Sequence, residues 1–255
     1  MAKSASPFVW YALMTPDLTA ATKFYGDVVG WKIADSGMPG MSYSLLSAGD
    51  VMVGGLMQRA PEMGDALPGW MGHVYVPDVD DYAKRVTKAG GHIHRDPEDI
   101  PGVGRFAVVS DPHGASFILF KPTAMEMPAK APQGTQGHIG WHDLRAGNGE
   151  EAWSFYSKLF GWEKSEAMPT PGGGVYQMFT TGDDMVGGMM TKMPDTPGPM
   201  WLYFFNVDAI DAAASRVKKG GGKVVMEPME VPGGQWIIEA TDPHGNRFGL
   251  VAPKR

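Results

Sequence analysis

Few side chains in this sequence have both the chemistry and the surroundings to move a proton. Asp143 lies in IGWHDLRA, a mostly apolar run. Side chains alternate along a strand, so Asp143 shares a face with Trp141. A carboxylate in an apolar setting has its pKa raised and can serve as general acid or base. The competing reading pairs Asp143 with Arg145 or with backbone N–H groups. His73, in WMGHVYV, shares a face with Met71 and Tyr75. It is a candidate base or hydrogen-bond donor, the alternative being a satisfied core histidine. His142 points to the opposite face from Trp141. His92 and His94 stand two apart on one strand, but two ligands are too few for a metal site. His113 and His244 sit in DPHG turns and read as solvent-exposed turn residues. There is no Ser-His-Asp arrangement at a recognisable motif, no phosphate-cradling loop and no dinucleotide fingerprint.

The elements that must position these residues repeat. FVWYALMTPDLTAATKFYGDVVGW (Phe8 to Trp31) returns as IGWHDLRAGNGEEAWSFYSKLFGW (Ile139 to Trp162). Gly54-Gly55 returns as Gly187-Gly188, Trp70 as Trp201, and Asp111-Pro112-His113-Gly114 as Asp242-Pro243-His244-Gly245. So long a period marks duplicated domains, not a solenoid. The expected domains are 7–122 and 137–253, joined by a Pro- and Ala-containing linker, 123–136. Within each half, apolar patterning and turn residues predict β-α-β-β-β twice. Thr15 is read as the cap of the first helix, with Pro16 at its first position. Leu18, Ala21, Tyr25 and Val28 form its inner face, and Gly30 ends it. Further helices are expected over Asp78–Ala89, Gly149–Phe160 and Ala209–Lys219, and a loop over Arg59–Gly69. The glycine pairs interrupt strands, which marks a bulge or a close approach of backbone to a ligand.

A chain of 255 residues, 43% of them apolar, can bury a sizeable core. The net charge is -6, and no basic stripe or run of like charge occurs. Nucleic acid and membrane are therefore not expected partners. Without cysteine, thiolate catalysis, disulfides and iron–sulfur clusters are excluded. No apolar run approaches a membrane span, and the N-terminal stretch lacks the apolar core of a signal peptide, so a cytoplasmic location is expected. The 19 methionines suit core filling or an adaptable apolar pocket.

The opening strand followed by PDLxxAxxFYxxVxGW, the β-α-β-β-β module used twice per domain and the closing DPxG turn resemble the vicinal oxygen chelate superfamily. That group includes glyoxalase, bleomycin-resistance proteins and extradiol dioxygenases. The resemblance implies an α+β fold: two tandem domains, each of two modules forming a cupped mixed sheet with helices outside. In metal-dependent members, first and last strands supply His, Gln or Glu to a divalent cation. Here Trp10 and Trp141 take the first-strand ligand position, and Ile118 and Gly249 stand where the family's glutamate follows DPxGxxx. No metal ligand is assigned and no cofactor is expected, a divalent metal being the disfavoured option. The two tryptophans are read as aromatic walls for a ligand, or as plugs in the metal's place. With Tyr43, Tyr176, Met71 and Tyr75 they form the expected ligand-binding set; Asp143 and His73 form the catalytic one. The implied function is binding of a small, partly apolar organic molecule, with acid–base lyase or isomerase chemistry as its possible activity. The alternatives are a metal-dependent enzyme of the lactoylglutathione-lyase or extradiol-dioxygenase kind, and a non-enzymatic drug- or metabolite-sequestering protein. A monomer or homodimer fits either.

Overall fold

The structure is a computed structural model and describes residues 5–60, 69–123, 131–170 and 173–255. Four strand–helix–three-strand modules follow one another. The first comprises β1 (Phe8–Thr15), α1 (Leu18–Val29), β2 (Lys32–Asp35), β3 (Tyr43–Ala48) and β4 (Val51–Gln58). The second comprises β5 (Gly69–Tyr75), α2 (Val79–Lys88), β6 (His92–Ile100), β7 (Gly104–Ser110) and β8 (Ser116–Pro122). The third comprises β9 (Ile139–Ala146), α3 (Gly149–Phe160), β10 (Glu163–Pro169), β11 (Val175–Thr181) and β12 (Asp184–Thr191). The fourth comprises β13 (Met200–Asn206), α4 (Ile210–Lys219), β14 (Lys223–Val231), β15 (Gln235–Thr241) and β16 (Arg247–Ala252). Each half forms one eight-stranded mixed sheet, in the orders β2-β3-β4-β1-β5-β8-β7-β6 and β10-β11-β12-β9-β13-β16-β15-β14. Within the modules β1 runs parallel to β4, β5 to β8, β9 to β12 and β13 to β16.

The strands keep the alternation their sequences set. β1 buries Tyr11, Leu13 and Thr15 on one face and leaves Trp10, Ala12 and Met14 partly exposed on the other. The start of the first helix differs from expectation. Asp17, not Thr15, caps α1: its carboxylate accepts the Ala20 amide at 2.9 Å, while Thr15 Oγ1 accepts the Asp17 amide at 3.3 Å. Asp is a strong cap because its oxygen reaches an amide that the first helical turn cannot satisfy. Leu18 is only half-buried, and Phe24 and Val29 join the inner face instead. Most of the expected loop after Arg59 and much of the expected linker lie outside the described residues.

Packing groups the modules into two compact units, one of residues 1–10, 71–127 and 142–201, the other of 11–70, 128–141 and 202–255. In the first, α2 packs on α3; in the second, α1 packs on α4. Both use the same buried tie. In the first unit Trp201 Nε1 donates to the Tyr156 hydroxyl at 3.0 Å, and that hydroxyl donates to Asp111 Oδ2 at 3.3 Å. Asp111 Oδ1 accepts the His113 and Ala115 amides. In the second unit Trp70 Nε1 donates to the Tyr25 hydroxyl, which donates to Asp242 Oδ2, and Asp242 Oδ1 accepts the His244 and Asn246 amides. The repeated tyrosine, tryptophan and DPHG aspartate are thus one polar network inside an aromatic core. Each buried polar atom in it needs its partner. Trp31 Nε1 donates to the Gly137 carbonyl and Trp162 Nε1 to the Ser6 carbonyl, each tying one half's helix exit to the segment before the other half's first strand.

Candidate functional site

Asp143 and Arg145 stand two apart on β9, so both side chains leave the same face of the strand. Arg145 Nε lies 3.3 Å from Asp143 Oδ2, and the side chains are only 15% and 10% exposed. The ion pair weighed as the alternative is therefore formed, with Asp143 buried and Arg145 mostly so. Its neighbours explain how the strands make room for it. Asp143 is in register with Gly188 on β12, and Gly188 with Met178 on β11. A side chain at Gly188 would meet the Tyr176 ring at 2.2 Å, so the glycine is the seat of that ring. Tyr176 is thereby laid over the strand next to Asp143. The first half keeps the seat without the charges: Gly55 carries the Tyr43 ring and is in register with Ala12. The glycine pairs thus do adjoin bulges, since the register slips between Leu46 and Ser47 and between Phe179 and Thr180. What approaches Gly55 and Gly188 so closely, however, is the chain's own tyrosine ring, while Gly54 and Gly187 lie against the Tyr11 and His142 carbonyls.

At the positions where the family holds a metal, the residues do not fit one. Trp141, half-buried, packs on a floor of Leu202, Phe204 and Val251, with Ile237 beside it. A side chain at Gly249 would lie 2.2 Å from the Phe204 ring, so the family's glutamate has no room there. Ile118 is 5% exposed in the corresponding place of the first half. One carboxylate beside this seat escaped the sequence reading. Glu239 on β15 is in register with Gly249 and 6% exposed, and its carboxylate lies 3.9 Å from Arg247 Nη1. The signal was present as a lone acid inside the apolar run QWIIEAT. In the first half Val108 takes the equivalent register opposite Ile118.

His73 belongs to the first sheet and Asp143 to the second, although both fall in the same compact unit. His73 lies edge-on to Phe120 at 5.6 Å. Burial pushes its imidazole down to about 4, against backbone hydrogen bonds to Met71 and Trp10. It is neutral at physiological pH and a weak base. Met71 beside it is 7% exposed, and Tyr75 is half-buried. His142, expected on the face opposite Trp141, is 4% exposed. Its Nδ1 lies 2.7 Å from the carbonyl of Val186, and the Phe8 ring stacks on it at 4.2 Å. His94 Nε2 meets Ser110 Oγ at 2.9 Å, while His92 is exposed. His113 departs from the exposed-turn expectation: it packs over Gly147, and its Nε2 lies 3.1 Å from Glu151 Oε2. His244 is exposed as expected.

A carboxylate held by a guanidinium can take a proton from a ligand while the cation offers hydrogen bonds to the oxygen that gains charge. Two wider comparisons place this scaffold. The protein CFP32 of Mycobacterium bovis, named as a candidate glyoxylase, is 31% identical over 248 residues, covering 96% of this chain and 94% of that protein. The anthracycline biosynthesis protein DauV of Streptomyces sp. (strain C5) is 30% identical over 261 residues, covering 95% and 91%. Among solved structures, the Mn(II)-bound glyoxalase from Novosphingobium aromaticivorans superposes with a TM-score of 0.67 at 16% identity, covering 99% of this chain and 83% of that one. The 2,2',3-trihydroxybiphenyl 1,2-dioxygenase of Sphingomonas wittichii strain RW1 gives 0.67 at 13% identity, covering 98% and 91%. Such low identity speaks for the fold alone. No helix among the described residues is long and apolar enough to cross a membrane. With matches to its profile over residues 8–119 and 135–250, the chain belongs to the Glyoxalase/Bleomycin resistance protein/Dioxygenase superfamily.

Proposed function

We propose that this protein binds a small, fused-ring aromatic molecule without the family's divalent cation, and that Asp143 is its acid–base group. The observation that carries the reading is the buried Asp143–Arg145 pair beside the Tyr176-covered Gly188. A buried ion pair costs desolvation and is weak evidence for stability. A function that needs a carboxylate in an apolar setting accounts for keeping one. Arg145 holds the carboxylate in place and supplies donors to an oxygen of the ligand; Trp141, on its apolar floor, is the fluorescent reporter for ligand binding. His73, neutral, is a hydrogen-bonding residue rather than the base. The relatives named for anthracycline biosynthesis support an aromatic ligand.

The Phe204 ring over Gly249 supports metal independence, and no step is assigned to a cation. The test is a fluorescence titration with doxorubicin, an anthracycline, on untagged protein of measured metal content. Saturable tryptophan quenching that Trp141→Leu abolishes, in protein free of stoichiometric metal, is expected. Quenching that no site variant alters, or one equivalent of bound Zn, Ni, Mn or Fe, overturns the reading. A sequestering role is separated from catalysis by Asp143→Asn. Conversion of bound ligand that stops in this variant while binding persists marks an enzyme.

A further inference from the structure

A cavity of about 410 Å³ opens in the first module. Leu18, Met38, Met41 and Tyr43 line it together with Asp35, Ser42 and Ser44, so the lining mixes apolar side chains with polar groups. We propose that this cavity is a binding site for a small aromatic cation of the protonated amino-heteroaromatic kind, with the ring system against the two methionine side chains and the positive charge at Asp35.

The walls are built, not incidental. The loop between β2 and β3 is shaped by two residues in the left-handed region, Gly37 (φ 68°) and Gly40 (φ 75°). Asp35 Oδ1 accepts the Gly37 amide at 3.0 Å, and Ser36 Oγ accepts the Met38 amide at 3.2 Å. The Ser36 amide donates to the Tyr43 carbonyl and closes the loop. Opposite, the Leu18 amide donates to Gln58 Oε1 at 3.0 Å, and Gln58 Nε2 donates to the Pro16 carbonyl, which fixes the start of α1 beside the end of β4.

The chemistry selects the ligand. The volume lies in the range of sites for small organic molecules. Methionine side chains adapt to flat ligands and make favourable sulfur–aromatic contacts. Asp35 spends one oxygen on Gly37, which leaves the other for a cation. The second half does not repeat the two methionines: counted back from Tyr43 and Tyr176, Met38 and Met41 correspond in sequence to Pro171 and Gly174, while Asp35, counted from Trp31 and Trp162, corresponds to Glu166. The site is therefore specific to the first half, and it stands independently of the acid–base role assigned to Asp143.

The test uses 9-aminoacridine, a fluorescent cation at neutral pH, and the uncharged acridone as its comparator. The full chain labelled at its methionine methyls is titrated by NMR, with Met38 and Met41 assigned through leucine variants. Saturable shifts of these two methyls are expected on adding 9-aminoacridine. Asp35→Asn weakens that binding by about threefold to fivefold, the range of an exposed ion pair, and leaves acridone unaffected. Met41→Ser weakens both ligands. Shifts confined to other methionines, or affinities unchanged by both Asp35→Asn and Met41→Ser, overturn the site. Equal affinity for the cation and for acridone overturns the assignment to a cation.

Discussion

The buried His142 makes this fold acid-sensitive by an amount that can be worked out. Its Nδ1 faces the Val186 carbonyl at 2.7 Å and its ring lies under Phe8, 4.2 Å away, so a second proton would place a cation among aromatic rings. Burial pushes its pKa from 6.5 down to about 4. Between those values the unfolded chain holds a proton that the folded chain does not. Stability is thus complete above pH 6.5, is lost as pH falls, and the loss levels off below pH 4. At pH 5 the loss from this one residue is about 2 kcal/mol relative to pH 7.5, rising to about 3 kcal/mol below pH 4. For a chain of this size that lowers the melting temperature by about 4–8 °C at pH 5. The perturbation is His142→Asn, whose amide can still donate to the Val186 carbonyl but does not titrate. Urea unfolding of both proteins at pH 7.5 and pH 5.0 gives the comparison. The variant starts less stable, having lost the ring under Phe8, but loses about 2 kcal/mol less between the two pH values. His73 titrates alike in both and cancels. If both proteins lose the same stability over this interval, the assignment of a neutral buried imidazole at this position fails.

Tyr156→Phe removes the hydroxyl between Trp201 Nε1 and Asp111 Oδ2, leaving both without it, and destabilises by about 1–3 kcal/mol in urea unfolding. A loss under about 0.5 kcal/mol would show the tie to be slack. Gly249→Ala drives a methyl group to 2.2 Å from the Phe204 ring and costs about 1–3 kcal/mol by overpacking. Phe204→Leu in the same chain relieves most of that cost in a double-mutant cycle, whereas additive losses would mean that the ring is not what fills the seat. Arg145→Met leaves Asp143 buried without its cation and destabilises by about 3–5 kcal/mol, while Asp143→Asn combined with it recovers part of the loss in thermal unfolding.

How much of this was legible in the sequence depends on whether a signal repeats or is made once. The modules were readable because apolar alternation and the duplicated FY, GW and DPHG motifs each report a local or twice-used requirement. The motif aspartates looked like turn residues, and so they are: Asp111 accepts the amides of His113 and Ala115. Their second task, receiving a tyrosine hydroxyl from the other half, spans 45 and 217 residues of chain for Asp111 and Asp242. No local pattern encodes such a distance, although the coincident repetition of tyrosine, tryptophan and aspartate at one period was its trace. The site was half legible for a related reason. The Asp143–Arg145 pair was legible as the competing reading, because residues two apart share a face and that geometry is internal to a strand. Glu239 was missed because its importance lies in register with Gly249 across a strand pair, which follows from turn geometry and not from composition. The charges themselves then argue that duplication was followed by division of labour. Asp143 faces Gly188 where Ala12 faces Gly55, and Glu239 faces Gly249 where Val108 faces Ile118. Each apolar member of these pairs costs nothing to bury, and each charged member is costly. The positions at which the second sheet carries a costly side chain and the first an apolar one are the ones to search for chemistry.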